Sequence, residues 1–425
     1  MQKPAKIVVL LTTYPLVHPR HGGQIRSAQV AKALLRAGFT VVALAIADAE
    51  NCSRAHLGPH DIFFPPDSGY RLVHGVKAPY ANDYLSGLYA ASDEDAYRRI
   101  CAALPSRIDA IILEQPWMLP VAQRLRADRH VGLLVYDAQN NETALKGPIL
   151  TAFHPELAGA LLSAINAQER SACAEADMVF AVSESDRSIL SQYSSAAVVL
   201  APNGVEPWEA SDADVRRWAS IFAGGAPRAG LYIASDHPPN FIDFFEVLGD
   251  RFGFLAPDEA IYIAGGASSQ IEKLLKGRKY ESLSRSRLRF LGVLAPPDLA
   301  AVKQIARLFV LPILKGSGSN LKTAEALFSG KWVVGTPMSF RGFERFATLP
   351  NAIVANPDQE FRDAIEAAMA APYPVLSGEQ QQMLRALTWE CTLAPMMDAI
   401  ASRIGLEQSG SALAHAAVYQ GAGLP

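Results

Sequence analysis

The chain has 425 residues, half of them hydrophobic and 19% charged, with a net charge of −3. That composition excludes a disordered chain, and its near-neutral balance excludes a global pull toward nucleic acid, so no nucleic-acid partner is expected. Cys52, Cys101, Cys173 and Cys391 are far apart and form no CxxC pair; they read as reduced core residues of a cytosolic protein.

The opening stretch, MQKPAKIVVLLTTYP, has five apolar residues in a row before Thr12 and Thr13. That is too short for a signal-peptide core, and no run approaches the roughly 18 apolar residues of a membrane span. The expectation is a cytoplasmic protein with, at most, peripheral contact at the inner face of a membrane. KIVVLLT (6–12) reads as a strand, and QIRSAQVAKALLRAG (24–38) as a helix closed by Gly38. Further strands are expected at 40–46, 109–115, 131–138, 177–183 and 196–202. Continuous apolar strands separated by helices indicate a parallel sheet covered on both faces. Residues 58–98 are less regular and rich in Pro, Gly and Tyr. They admit two readings: an inserted acceptor-binding or membrane-facing region, or a β-hairpin with loop decoration.

The rhythm breaks at APNGVEPWEASDAD (201–214), which suits a linker, and then restarts. Strands are expected at 229–235, 259–266, 287–293, 307–314, 331–337 and 352–357, and a terminal helix at 391–406. The architecture is therefore α/β, with two doubly wound domains in series and a cleft between them. Ligands of such sheets bind outside the carboxyl ends of the strands.

One such strand end is followed by GSGSNLKTAEALFSGKWVVGT (316–336). Lys322 falls in the first turn of the helix, where a cation opposes the helix dipole at a cost of up to about 1 kcal/mol. A phosphate or diphosphate bound there offsets the cost. Gly316 and Gly318 let the backbone approach a ligand, Ser319 or Asn320 caps the helix, and the free N–H groups of its first turn attract an anion. Glu325, one turn on, is placed to accept hydrogen bonds from ribose hydroxyls. The competing reading makes Lys322 and Glu325 a solvated surface ion pair. A mononucleotide P-loop fits worse, because Gly330-Lys331 is followed by Trp332 and Glu325 stands where its first glycine belongs.

The segment LPILKGSGSNLKTAEALFSGKWVVGTPMSFRGFE (311–344) resembles the donor-binding segment of family 4-like glycosyltransferases of the two-domain GT-B type. In order along the chain, LLTTYP…HGGQIRSAQVAKALLRAGFTVVAL, VYDAQNNET, ERSACAEADMVFAVSESDR, VLAPNGVE and LYIASDHPPN resemble other stretches of that family. The resemblance spans about residues 6–390. It implies Rossmann-like domains at 1–205, on the acceptor side, and 206–390, for the nucleotide-sugar donor, facing a central cleft, then a terminal helix and tail at 391–425.

The resemblance also implies the reaction: transfer of a sugar from a nucleotide-diphospho sugar to an acceptor hydroxyl, with retention, in bacterial cell-surface glycan synthesis on a glycan or lipid-linked acceptor. No cofactor and no metal are implied. Asp212-x-Asp214 and Asp93-x-Asp95 follow no strand and read as solvated surface.

By resemblance, Glu325 is the second glutamate of the family's Glu-x7-Glu motif, which binds donor ribose. The first is replaced by Ser317, so the backbone of Ser317, Gly318, Ser319, Asn320 and Leu321 carries more of the contact with sugar and diphosphate. Gln139 stands where the family has a histidine that contacts the donor sugar or reaction centre; Asn140 and Glu142 match as they stand. For Asp137, Asn140 and Glu142 the plainer reading is loop capping at a strand end. Gly22 and Gly23 form a loop beneath the donor, and Arg26 contacts a phosphate or is a solvated helix residue. Ser235, Asp236 and His237 follow a donor-domain strand. There His237 touches the diphosphate, or HPPN is a rigid turn that caps a helix at Asn240. The chemistry would fall to Lys322, Gln139 and Asn140. The alternatives are a GT-B sugar-nucleotide epimerase and a non-catalytic nucleotide-binding partner subunit, which the replacements at Ser317 and Gln139 favour.

Overall fold

The computed structural model describes residues 6–19, 21–48, 56–64, 72–73, 76–316 and 318–405. The chain forms two compact units. The first takes the described residues up to Asn203, with 318–319 and the chain from Glu390 on; the second takes Gly204–Gly316 and Asn320–Trp389.

In the first unit the strands are β1 (Ile7–Thr12), β2 (Thr40–Asp48), β3 (Ile62–Phe64), a short antiparallel pair β4 (Leu72–Val73) and β5 (Val76–Lys77), β6 (Arg107–Leu113), β7 (His130–Ala138), β8 (Met178–Ala181) and β9 (Val198–Leu200). Its helices are α1 (Gly22–Arg36), α2 (Asn82–Ser92), α3 (Glu94–Ala103), α4 (Leu119–Asp128), α5 (Glu142–Phe153), α6 (Pro155–Glu175) and α7 (Glu184–Leu190). Seven strands form one parallel sheet in the order β3-β2-β1-β6-β7-β8-β9. Val8 through Leu11 and Ala110 through Leu113 are fully buried, as expected of adjacent central strands covered on both faces. The order reverses between β1 and β6, so residues just after Thr12 and Leu113 flank the switch point, where ligands of open α/β sheets bind.

The second unit repeats the design. Its elements are α8 (Asp212–Gly225), β10 (Arg228–Ile233), α9 (Pro238–Leu248), β11 (Glu259–Ala264), α10 (Ala267–Leu275), α11 (Glu281–Arg287), β12 (Leu288–Gly292), α12 (Pro296–Ile305), β13 (Leu308–Leu311), α13 (Leu321–Phe328), β14 (Trp332–Gly335), β15 (Ala352–Val354), α14 (Gln359–Ala370) and α15 (Gly378–Arg385). The parallel sheet order is β12-β11-β10-β13-β14-β15, reversing between β10 and β13. Alternate residues feed two cores: Leu231, Phe309 and Val333 pack on one face of the sheet, Tyr232, Val310 and Val334 on the other. The last helix is α16 (Trp389–Ile404).

Two expectations change. Where a hairpin or an inserted loop was expected at 58–98, the described part also folds into two helices, α2 and α3, that bury Leu85, Ala90, Tyr97 and Ile100 in the first core. Residues 65–71 and 74–75 of that stretch lie outside the described residues, as do Cys52, Ser317 and the tail from 406. Gly22 and Gly23 are not loop residues: α1 begins at Gly22, capped by His21, whose Nδ1 accepts from the Gln24 amide at 3.4 Å.

Candidate functional site

In the second unit, the segments after β10 (234–240) and after β13 (312–322) flank the switch point. Asn320 caps α13, its side-chain oxygen accepting from the Lys322 amide at 3.2 Å. Lys322 sits in the first turn, and its ammonium donates to Asn240 Oδ1. Asn240 is oriented for that task. Its Nδ2 donates to the Ser235 carbonyl at 3.0 Å and to Ser235 Oγ at 3.1 Å, and its own carbonyl accepts from Tyr232 Oη. Burial pushes the Lys322 amine down to about 8, against the opposing pull of Asp243 and Glu325. Asp243 accepts from the Leu314 amide at 2.8 Å, fixing the chain that leaves β13. HPPN does open a helix, but Asn240 is not its cap: α9 begins at Pro238 with His237 at the cap position and no side-chain cap bond. Pro238 and Pro239 have no N–H, and the Asn240 amide is spent on the His237 carbonyl. This end of α9 therefore offers few donors to an anion; the first-turn amides of α13 are also spent, that of Lys322 on the Asn320 side chain and those of Thr323 and Ala324 on the Asn320 carbonyl, so the charge rests on Lys322. Ser235, Asp236 and His237 keep exposed surface beside it, and partial desolvation of the His237 ring, with the Lys322 charge, lowers its pKa.

Glu325 and Lys322 are not a surface ion pair. Glu325 Oε2 pairs instead with Lys303 Nζ of α12 at 3.1 Å. Lys303 is 6% exposed, and its ammonium lies 4.5 Å from the centre of the Trp208 ring. Gly316, with φ of 148°, leaves the space that Arg341 fills: a Cβ there would lie 2.9 Å from its guanidinium.

In the first unit, Arg26 is neither solvated nor open to a phosphate. It is 1% exposed and grips Asp137 through two bonds, Nε to Oδ2 at 2.9 Å and Nη2 to Oδ1 at 2.6 Å. Its Nη1 donates to Asn203 Oδ1 at 3.2 Å. Asp137 is thus a buried partner, not a loop cap; capping of α5 falls to Asn141, whose Oδ1 accepts from the Ala144 amide. Gln139 is 8% exposed, and its amide is engaged at both ends. Oε1 accepts from Tyr14 Oη at 2.8 Å, while Nε2 donates to Ser27 Oγ and to Glu114 Oε2. Burial, reinforced by the Asp137 charge, pushes Glu114 up to about 8, and Glu114 Oε1 is buried without a partner. Glu142, raised to about 8 by burial, accepts from Asn140 Nδ2 at 3.3 Å. Gly318 lies against this cluster: its φ is +67°, and a Cβ would meet the Gln139 carbonyl at 2.6 Å and Asn140 Oδ1 at 2.7 Å. Ser319 Oγ accepts from the Asn203 amide at 3.3 Å.

The acidic pairs serve helices. Asp93 caps α3 and Asp95 pairs with Arg98; Asp214 bonds Ser211 and Arg217, and Asp212 opens α8. Among the described residues no group of three or more His, Cys, Asp or Glu is placed to hold a metal ion. Asn240, Asp243, Lys303, Tyr14 and Glu114 went unremarked in the sequence as site residues. Only the position of Glu114 and Asn240 after strand ends signalled them.

A glycosyltransferase 4-like domain matches residues 21–204, and a glycosyltransferases group 1 domain matches residues 245–371. The chain is a glycosyltransferase that joins a 4-like domain to a group 1 domain. No curated protein matches this glycosyltransferase. Solved structures share its GT-B fold of two Rossmann-like domains. Sucrose-phosphate synthase from Thermosynechococcus elongatus is 17% identical, with 95% of this chain and 100% of that chain covered and a TM-score of 0.68. A trehalose-phosphate synthase (UDP-forming) from Burkholderia vietnamiensis is 14% identical, covering 95% and 100%, with a TM-score of 0.61. Anabaena HepE, solved in complex with UDP and glucose, is 14% identical, covering 94% and 98%, with a TM-score of 0.57.

Proposed function

We propose that this glycosyltransferase takes a nucleotide-diphospho sugar as donor and passes the sugar to an acceptor hydroxyl with retention of configuration, without a metal. One observation carries the reading: a half-buried lysine, Lys322, held by Asn240 at a helix N-terminus beside the switch point of the second sheet. A leaving diphosphate needs its charge neutralised, and a preoriented ammonium at the positive end of a helix supplies that. The proposal is supported by the fold neighbours solved with UDP or UDP-glucose. A glycan or lipid-linked acceptor in bacterial cell-surface synthesis, in the cytoplasm at the inner face of the membrane, completes it.

The test is donor hydrolysis and transfer by wild type and Lys322→Ala. Loss of one such charge-stabilising donor typically costs about 2.7–4 kcal/mol, so kcat should fall by roughly 10² to 10³. Unchanged turnover rejects the assigned role.

A second reading, a nucleotide-binding partner without transfer activity, draws on Gln139. Its amide is spent inside the first unit, and glutamine does not titrate near neutral pH. Calorimetric binding of nucleoside diphosphates without turnover on any acceptor would favour this reading.

A further inference from the structure

Glu325 follows Lys322 by three residues, yet each carries its own partner. Lys322 is committed to Asn240, and Glu325 is held from a different helix by Lys303. Lys303 occupies the last turn of α12, where a lysine ordinarily reaches into water and favours the helix dipole. Here it is 6% exposed, with its ammonium 3.1 Å from Glu325 Oε2 and 4.5 Å from the centre of the Trp208 ring. Trp208 in turn packs edge-on against Phe328 of α13, ring centres 5.1 Å apart, so the ring braces both the cation and the helix that bears the carboxylate. The Glu325 side chain keeps 35% of its surface exposed. Oε2 is the oxygen Lys303 holds, and Oε1 has no protein partner among the described residues. A carboxylate pinned by one oxygen and open at the other, one turn beyond an anion site, can accept from a pair of vicinal hydroxyls.

We propose that Lys303, backed by Trp208, is a positioning residue that fixes Glu325 to select a ribonucleotide over its deoxy counterpart. This rests on the donor-site reading of Lys322 and Glu325. Without Lys303 the carboxylate regains its rotamer freedom, and the hydroxyls lose a preorganised acceptor.

The test is calorimetric titration of wild type, Lys303→Met and Lys303→Arg. The ligands are the uridine, guanosine and adenosine diphosphates, the 2′,3′-dideoxy form of whichever binds most tightly, and inorganic pyrophosphate. Wild type should prefer the ribose form. Lys303→Met should lose about tenfold of that preference, the scale of one charge-assisted hydrogen bond, with pyrophosphate affinity unchanged. Lys303→Arg should restore it. A Lys303→Met variant that keeps the full ribose preference overturns the inference and leaves the donor site standing. So does an equal loss for every ligand, pyrophosphate included, which marks a merely structural lysine. A wild type that binds none of the three diphosphates overturns the donor-site reading, and this inference with it.

Discussion

Lys322 is a cation placed where the helix dipole repels it and burial strips its water. Burial favours the neutral amine against the pull of Asp243 and Glu325, and takes its pKa down to about 8. A bound diphosphate reverses the balance, because two nearby negative charges favour the ammonium. Below pH 7 the free protein already holds that proton, so binding needs none. Above 8 the proton must be taken up on binding, and affinity for a nucleoside diphosphate should fall by about tenfold per pH unit. Calorimetry at pH 7.0, 8.5 and 9.5, in buffers of different ionisation enthalpy, reads both the fall and the proton uptake. A flat affinity across that range would count against Lys322 as the anion's partner; Lys322→Arg should flatten it, since guanidinium does not titrate there. Lys331 is also lowered to about 8 by burial, but its amine donates to the Ala306 carbonyl, so its titration belongs to the fold and not to the ligand.

The central strands and their parallel pairing were legible because each is a continuous apolar run bounded by turn residues, and both sheets bury both faces; the order within each sheet was not. Lys322 was legible because it breaks a local rule. Arg26 was misread, and the partners of Gln139 and Glu325 went unseen, for one reason: Asp137, Glu114 and Lys303 stand 111, 25 and 22 residues away, and no local pattern selects among such partners. Helix α2 was missed because its sequence, NDYLSGLYAAS, has weak helix propensity and a glycine in the middle. Tertiary packing explains the glycine. A Cβ on Gly87 would lie 1.9 Å from the Trp117 carbonyl oxygen, so only glycine lets α2 approach that backbone. In an exposed helix Gly→Ala stabilises by up to about 1 kcal/mol. Here Gly87→Ala should destabilise by about 1–3 kcal/mol, because backbone must move to admit the methyl group. Urea unfolding checks the sign through a lower midpoint at unchanged m; a raised midpoint would mean that the helix does not pack this closely.

At the scale of the whole chain, the first unit is not finished when the second begins. The second unit leaves and returns at neighbouring points. The Val205 amide donates to the Leu387 carbonyl at 2.8 Å, and the Trp389 amide donates to Val205 at 3.2 Å. From Glu390 on the chain belongs to the first unit again, with Leu393, Met396 and Ile400 of α16 fully buried. That destination was not legible: a terminal helix can be read from sequence, but not which of two preceding units it joins. Burying a Leu, Met or Ile side chain contributes about 1.5–3 kcal/mol, so three give at most about 4–9 kcal/mol. A whole domain holds only about 5–15 kcal/mol. Truncation before Glu390 should therefore cripple the first unit while the second, which ends at Trp389, keeps its stability. Hydrogen exchange resolves the two units separately: amides of β1, β6 and β7 should lose protection in the truncated protein, and those of β10, β13 and β14 should retain it. Equal loss in both sheets, or none in the first, would break the assignment of α16 to the first unit.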